Sequence, residues 1–329
     1  MTDAGLSGAD QDTFVAAVRS GDPARFSALT ERHRRELQVH CYRMLANFED
    51  AQDMTQETFL RAWHKRESFQ GHAAVRTWLY RIATNVCLDF LAKRDDRTPV
   101  AGSEVPYLQP YPDRMLPEDP QESVVSRETI ELAFIVAVQH LPPRQRAVFI
   151  LRDVLGWPAS KAADALELSV ASVTSALQRA RVTMRGQLPD RRLDWRSPAP
   201  QELSAEERAV VRSYIDAHER SDIDGLMGLL RDDLRFVMIP DPGTVVVTAQ
   251  DAVDGWVAHG LFQRGFDDWR CLVTTVNRMP AAALYLRGLD DSAYRLFTIA
   301  VLRVVEGQVA ELTGFDATGK PWLGLPPTL

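Results

Sequence analysis

Six prolines crowd one stretch of this chain, at positions 99, 106, 110, 112, 117 and 120, and no regular helix or central strand survives that spacing. Each proline lacks the N–H that a helix or a sheet ladder requires, and its ring pushes the preceding residue into extended backbone. The stretch therefore divides the chain. A second break, "LPDRRLDWRSPAP", holds Pro189, Pro198 and Pro200 around a short charged run. The 329 residues exceed what one ordinary core organises, and the two breaks cut them into three blocks. The expected boundaries are a helical block at 10–97, a linker at 98–126, a second helical block at 127–188, a linker at 189–203 and a block of mixed character at 204–329.

The net charge of -7 argues against a nucleic-acid binder until it is divided along the chain. Residues 1–98 are neutral, 99–126 carry -4, 127–196 carry +4 and 197–329 carry -7. One basic block inside an acidic chain is how a local DNA-binding module hides in an acidic average. Cys41, Cys87 and Cys271 lie far apart and are odd in number, so neither a disulfide framework nor a zinc cluster is indicated. No metal and no cofactor are expected. No run approaches the ~18 apolar residues of a membrane span, and "MTDAGLSGADQD" lacks the basic-then-apolar order of a signal peptide. The expectation is a cytoplasmic chain that does not touch a membrane.

In the first block, "DAQDMTQETFLRAW" reads as a helix with two faces. At a period of 3.6, Ala51, Met54, Phe59, Ala62 and Trp63 fall to one side, and Asp50, Asp53, Gln56, Glu57 and Arg61 to the other. The apolar side enters a core, while the acidic side fits a solvated stripe as well as a contact surface. Further on, "FQGHAAVRTWLYRIATNVCLDFLAKR" interleaves Phe69, Trp78 and Tyr80 with Arg76, Arg81, Lys93 and Arg94. Aromatic faces accept unstacked bases and arginines hold a phosphate backbone, a combination suited to single-stranded nucleic acid. A core helix with solvated arginines has much the same sequence.

The basic block carries the most specific pattern. "PPRQRAVFILRDVLG" is an amphipathic helix opened by prolines and closed near Gly156, and "WPASKAADALEL" is a shorter helix starting at Pro158. After a turn at Glu167 and Leu168, "SVASVTSALQRARVTMRGQL" opens on Ser169, a good N-cap. Two helices joined by a tight turn, the second longer and basic towards its end, fit a helix-turn-helix. In that geometry Ser169, Ser172, Thr174, Ser175 and Gln178 face base edges, while Arg179, Arg181 and Arg185 meet phosphates. A three-helix bundle with basic helix ends is the plainer alternative.

Together these three motifs resemble the second and fourth conserved regions of bacterial extracytoplasmic-function sigma factors, in order and across about residues 10–188. The resemblance implies a chain that joins core RNA polymerase, recognises promoter DNA at its -35 and -10 elements and helps open the latter, without being an enzyme. It assigns Asp50, Asp53, Gln56, Glu57, Leu60 and Arg61 to a docking helix for a basic coiled coil of the largest polymerase subunits. It assigns Phe69, Arg76, Trp78, Arg81 and Asn85 to the -10 element, with a flipped base held by the loop before Arg76. The helix-turn-helix, with Ser169, Ser172, Thr174, Ser175, Gln178, Arg179 and Arg181, would read the -35 element. Many relatives carry more basic residues early in that helix. Thr174 and Ala176 stand there instead, which implies fewer phosphate contacts and a shallower salt dependence.

Short family members end soon after the recognition helix, whereas this chain continues for roughly 140 residues. Two helices, "SAEERAVVRSYIDAHERSD" and "IDGLMGLLRDD", precede β-rich runs at "LRFVMIP", "RCLVTTVNRM", "AALYLRGL" and "YRLFTIAVLRVV", with a helix at "AQDAVDGWVAHGLF". The order predicts an α+β domain with a curved antiparallel sheet and resembles the cone-shaped SnoaL-like fold. The full fold class is thus two all-α sigma domains, the second a helix-turn-helix, followed by a SnoaL-like domain. Relatives of that fold include enzymes, for which His218, His259, Asp241 and Asp316 are the acid or base candidates, though no spacing joins them. The resemblance implies a regulatory role in cis instead, through contact with the sigma regions, with room for a small-molecule ligand. A helix-turn-helix regulator fused to a sensing or enzymatic domain is the competing reading, and the docking helix discriminates, because a repressor acting alone has no use for one.

Overall fold

The computed structural model describes residues 15, 16, 18, 21–69, 74–94, 105–117, 127–188, 202–239, 245, 246, 248–258, 262, 268–288 and 291–329. They form two compact units, one from Met1–Ser103 with Met115–Ala199 and one from Glu104–Arg114 with Pro200–Leu329. No described helix is long and apolar enough to cross a membrane.

In the first unit, α1 (Pro23–Glu31), α2 (Arg34–Leu45), α3 (Phe48–His64) and α4 (Val75–Ala92) precede the proline-rich stretch. Local chemistry sets their ends. Asp22 caps α1 ahead of Pro23, Ala46 closes α2 in the left-handed region at φ 57°, and the Asn47 side chain accepts the Asp50 N–H to open α3. The buried stripe of α3 is centred on Ala51, Thr55, Thr58 and Ala62, while Met54, Phe59 and Trp63 are only half-buried. This shifts the apolar face expected from periodicity. The reason is that Thr55 and Thr58 donate their hydroxyls to Ala51 O and Met54 O, each at 2.7 Å, so both can be buried as if apolar.

Beyond the proline-rich stretch come α5 (Leu132–Gln139) and α6 (Pro143–Phe149), which continues as one π turn through Ile150–Val154. Then follow α7 (Ala159–Leu166) and α8 (Val170–Gln187). Glu167 makes the left-handed turn between α7 and α8 at φ 55°, and Ser169 Oγ caps α8 by accepting the Ser172 N–H. α7 and α8 are the two arms of the helix-turn-helix.

Two buried arginines tie α2 to the helices beyond the prolines. Arg43 donates to Thr129 O at 3.1 Å and to Thr129 Oγ1 at 2.6 Å, and Gln139 Nε2 donates back to Arg43 O at 3.1 Å. Arg146, on α6, donates to Met44 O, to the Gln139 side chain, to Gln139 O at 2.8 Å and to Leu141 O at 3.1 Å. Its carbonyl acceptors lie at the C-terminal ends of α2 and α5, where aligned peptide dipoles concentrate negative partial charge. Those carbonyls stand where a carboxylate partner would otherwise be needed.

The second unit opens with α9 (Ala205–Glu219), started by a reciprocal capping box between Ser204 and Glu207, and α10 (Ile223–Leu229). The strands are β1 (Leu230–Ile239), β2 (Val245–Val246), β3 (Asp268–Val276), β4 (Met279–Arg287), β5 (Arg295–Val305) and β6 (Gln308–Asp316), with α11 (Ala249–Ala258) between β2 and β3. The sheet order is β2-β1-β6-β5-β4-β3, and α9, α10 and α11 pack on it around Tyr214, Leu226, Val253 and Trp269. The α+β cone expected from the element order is present. The sheet is mixed rather than antiparallel, because β1 and β6 run parallel with Phe236 opposite Leu312. Helix α11 lies in the chain between β2 at one edge of the sheet and β3 at the other, and the β3–β6 meander then returns β6 alongside β1 in the same direction. "RCLVTTVNRM" runs past the end of β3 into the turn and the first residue of β4. Asn277 and Arg278, both at φ 54°, make a tight two-residue turn between β3 and β4.

The 98–126 stretch is expected as a plain linker, yet its 105–114 part belongs to the second unit. Tyr111 and Asn277 exchange two bonds: Asn277 N–H to Tyr111 O at 2.8 Å and Tyr111 N–H to Asn277 Oδ1 at 2.7 Å. Arg278 N–H donates to Asp113 Oδ1 at 2.8 Å, and Arg114 donates to Trp322 O at 2.8 Å.

Replacing Arg146 by Met should strand at least four buried acceptors and destabilise the helical unit by about 3 kcal/mol or more. Urea unfolding followed by far-UV circular dichroism should show the helical transition moving to lower denaturant while the sheet-containing unit is unmoved.

Candidate polymerase and nucleic-acid interface

The α3 face sorts into two groups. Asp53, Gln56 and Leu60 point outward, and Leu60 is 50% exposed, an unusual place for a leucine. Asp50 is half-buried beside Arg94, at 3.7 Å, and burial pushes its carboxyl up against that partner's pull. Glu57 and Asp89 both accept from Arg61, at 2.7 and 2.5 Å, so Arg61 is held between two carboxylates and its pKa is raised. The outward group is a short mixed stripe of one carboxylate, one amide and one leucine, and the other three candidates brace it.

Among the residues assigned to the -10 element, Phe69 is buried against the half-exposed Trp78, with ring centroids 5.2 Å apart. Arg76 is committed to Glu36 at 2.7 Å and lies over the Tyr80 ring. Burial works against the Arg76 charge, but Tyr80 and Glu36 more than offset it and its pKa is raised. For Glu36, burial pushes the carboxyl up, while a hydrogen bond with His33 and pairing with Arg76 outweigh it and hold it low. Phe69 and Arg76 therefore shape the wall, leaving Trp78, Arg81 and Asn85 to present chemistry. Two of these already have neighbours across the helical unit: Arg81 approaches Glu167 at 3.4 Å and Asn85 approaches Ala165 O at 3.5 Å, both at the end of α7. Glu36 and His33 escaped the sequence reading, since a lone carboxylate among arginines is ordinary there. The loop residues 70–73 before Arg76 lie outside the described residues.

On α8, Ser169, Ser172, Thr174, Ser175, Gln178, Arg179 and Arg181 are all exposed. Val173, Ala176, Leu177 and Ala180 form the buried side, which leaves one polar face outward. Arg181 pairs with Asp153 through two bonds of 2.8 Å, which raises its pKa and occupies its fork inside the module. The expected set of phosphate-facing cations is smaller by one.

In the C-terminal domain, His218 lies against a cavity of about 340 Å³. Asp316 instead sits on β6, accepting from Thr318 N–H at 3.0 Å and pairing with Lys320 at 3.4 Å. Asp316 does not line that cavity. Asp241 and His259 lie outside the described residues. Among the described residues, no group of three or more His, Cys, Asp or Glu is placed to hold a metal.

Two helical regions on either side of a proline-rich stretch, the first with an exposed mixed stripe on α3 and the second a helix-turn-helix, define an initiation factor of the sigma-70 class. The family models for Sigma-70 region 2 and Sigma-70, region 4 match residues 29–97 and 131–184. The ECF RNA polymerase sigma factor SigG of Mycobacterium tuberculosis (strains CDC 1551 / Oshkosh and ATCC 25618 / H37Rv) is 40% identical over 344 residues, covering 97% of this chain and 90% of its own. SigW of Bacillus subtilis (strain 168) is 32% identical over 182 residues, 54% of this chain and 95% of its own. The crystal structure of the Mycobacterium tuberculosis extracytoplasmic function sigma factor SigJ covers 93% of this chain and 100% of its own at a TM-score of 0.59 and 22% identity, a likeness of fold. The chain belongs to the extracytoplasmic-function RNA polymerase sigma factors. It binds core RNA polymerase and promoter DNA and directs promoter-specific initiation, and its sigma regions are not catalytic. The competing reading, a repressor working without polymerase, falls with the region 2 match.

His218 Nδ1 lies 3.0 Å from Tyr214 O, and burial, the larger effect, lowers its pKa to about 4 against that bond. An unfolded histidine titrates near ~6.5, so between pH ~6.5 and 4 the unfolded chain binds the extra proton and stability falls as the pH drops. Thermal melts from pH 7.5 to 5 should show the C-terminal transition shifting downward, and His218→Phe should flatten its slope.

Proposed function

We propose that the C-terminal domain modulates initiation in cis by holding the segment that joins region 2 to region 4. The observation that carries this is the pair of bonds between Tyr111 and the buried Asn277 at the β3–β4 turn. A free joining segment changes its end-to-end distance as the two regions take up their separate promoter elements. A captured one does not, so release from the turn becomes part of engagement. In this reading the domain works by binding and not by catalysis, and the factor acts in the cytoplasm with the polymerase.

Within the sigma regions, Asp53, Gln56 and Leu60 make the direct polymerase contact, with Asp50, Glu57 and Arg61 bracing them. Trp78, Arg81 and Asn85 meet the strand being separated at the -10 element, on a wall formed by Phe69 and Arg76. Ser169, Ser172, Thr174, Ser175 and Gln178 read base edges of the -35 element, while Arg179 meets the backbone and Arg181 does so only when released from Asp153. The contacts of Arg81 and Asn85 with the end of α7 favour a resting form in which region 4 shields that face. Exposed pairs of this kind are weak, so promoter and polymerase can displace them.

Two measurements test these roles. Asp53→Lys combined with Glu57→Lys should weaken core polymerase binding by about tenfold or more, because like charges then face a basic partner. Circular dichroism should be unchanged. Asn277→Gly keeps the positive-φ turn but removes the acceptor for Tyr111 N–H. It should speed amide exchange in 105–114 and raise promoter-specific initiation roughly fivefold, the worth of one backbone hydrogen bond. Faster exchange with unchanged initiation would sink the modulating role and leave the sigma function intact.

A further inference from the structure

The cavity in the C-terminal domain is walled by Tyr214, Phe236, Trp256, Phe262, Trp269 and Phe297 and has a volume of about 340 Å³. The rings meet at steep and shallow angles: Trp256 stands at 84° to Phe236, while Phe262 stacks on Trp269 at 29° with centroids 5.9 Å apart. An apolar cavity of ~150 Å³ holds one benzene, so this one suits about two fused rings. Among the described residues no lysine or arginine lines it, so the described lining offers an anion no counter-charge. Asp251, the carboxylate on its lining, is exposed and already accepts from Thr248 Oγ1 at 2.6 Å. The Thr298 hydroxyl on the lining is likewise used, donating to Phe315 O at 2.7 Å.

His218 differs from these. Its ring is surrounded by four lining aromatics, Tyr214, Trp256, Phe262 and Trp269, at 4.3 to 6.1 Å. A carbonyl only accepts, so the bond to Tyr214 O puts the proton on Nδ1 and makes Nε2 a lone-pair acceptor. No hydrogen-bond partner of Nε2 occurs among the described residues. Trp269 Nε1, on the same lining, is a buried donor with no hydrogen-bond partner among the described residues, so a hydroxyl placed between the two rings can donate to His218 Nε2 and accept from Trp269 Nε1.

We propose that this cavity is a binding site for a neutral, flat molecule of about two fused rings carrying one hydroxyl, which donates its hydrogen bond to His218 Nε2. Rings fill the cage and the hydroxyl sets the orientation. The imidazole stays neutral at physiological pH because burial depresses its pKa, so it remains an acceptor. This inference is independent of what the domain does to initiation, since binding is read without polymerase.

The test uses the full-length chain, with 2-naphthol and 2-methoxynaphthalene as probes followed by calorimetry. The two share rings and apolar area, but only the first can donate. Binding of 2-naphthol about tenfold tighter than its methyl ether is expected, the worth of one buried hydrogen bond. His218→Phe should abolish that preference and bring the two probes within about twofold. Should that variant fail to fold, the comparison on the unaltered chain still decides. No binding of either probe, or equal affinity for both on the unaltered chain, would overturn the proposal. A preference that survives His218→Phe in a folded variant would do so as well.

Discussion

The helical unit depends on Arg146. A guanidinium with no solvent exposure is among the costliest groups to bury, and it is tolerable only where acceptors surround it. Here the acceptors are main-chain carbonyls at the ends of α2 and α5, together with the Gln139 side chain. These are groups that helix ends leave unsatisfied in any case, so one side chain solves several problems at once. Arg43 and Thr129 repeat the device nearby. Because the bonds Arg146–Met44, Arg43–Thr129 and Gln139–Arg43 each join residues from opposite sides of the proline-rich stretch, the network selects which region 4 surface faces region 2. Apolar packing alone would tolerate several registers there, whereas directional bonds to buried carbonyls admit few.

Much of this architecture is legible in the sequence where period and punctuation agree. The prolines fall between α4 and α5, Ser169 marks the start of the recognition helix, and the outward position of Asp53 and Gln56 follows from a 3.6 period. The failures have specific causes. Thr55 and Thr58 are polar by type but satisfy their hydroxyls on their own helix, so the buried stripe of α3 is displaced from the apolar residues. Asn277 and Arg278 lack the glycine that usually announces a two-residue turn, so the run read for the first strand of the hairpin overshoots its end. β6 alternates weakly in "QVAELTGFD" and escapes notice. Arg43 and Arg146 look like ordinary surface cations, because the carbonyls that hold them are invisible in a list of side chains.

The same blindness applies to the joining segment. Prolines correctly exclude helix there, but exclusion of regular structure is not absence of structure. Pro110 and Pro112 flank Tyr111, and each fixes its own φ while restricting the residue before it, so the main chain that meets Asn277 is stiff before it docks. The entropy cost of capture is therefore smaller than for a glycine-rich linker of equal length. A stretch that looks like a spacer is suited to be a ligand for its own C-terminal domain.

Charge placement on the helix-turn-helix completes the picture. The basic block carries +4, yet Arg146 is buried and Arg181 is neutralised by Asp153, so fewer cations face outward than composition suggests. Every phosphate left without a cation lowers the salt-dependent, sequence-independent part of the affinity. What remains on the exposed face of α8 is chiefly hydroxyl and amide, chemistry that distinguishes bases and adds little non-specific attraction. Such a module binds weakly by itself. With the roles proposed above for α3 and α8, occupancy of the -35 element would come from delivery by polymerase, since attachment at α3 would turn a second weak contact into an intramolecular one with a high effective concentration. In that proposal the outward stripe on α3 and the sparsely charged face of α8 divide the work, the first supplying affinity and the second discrimination.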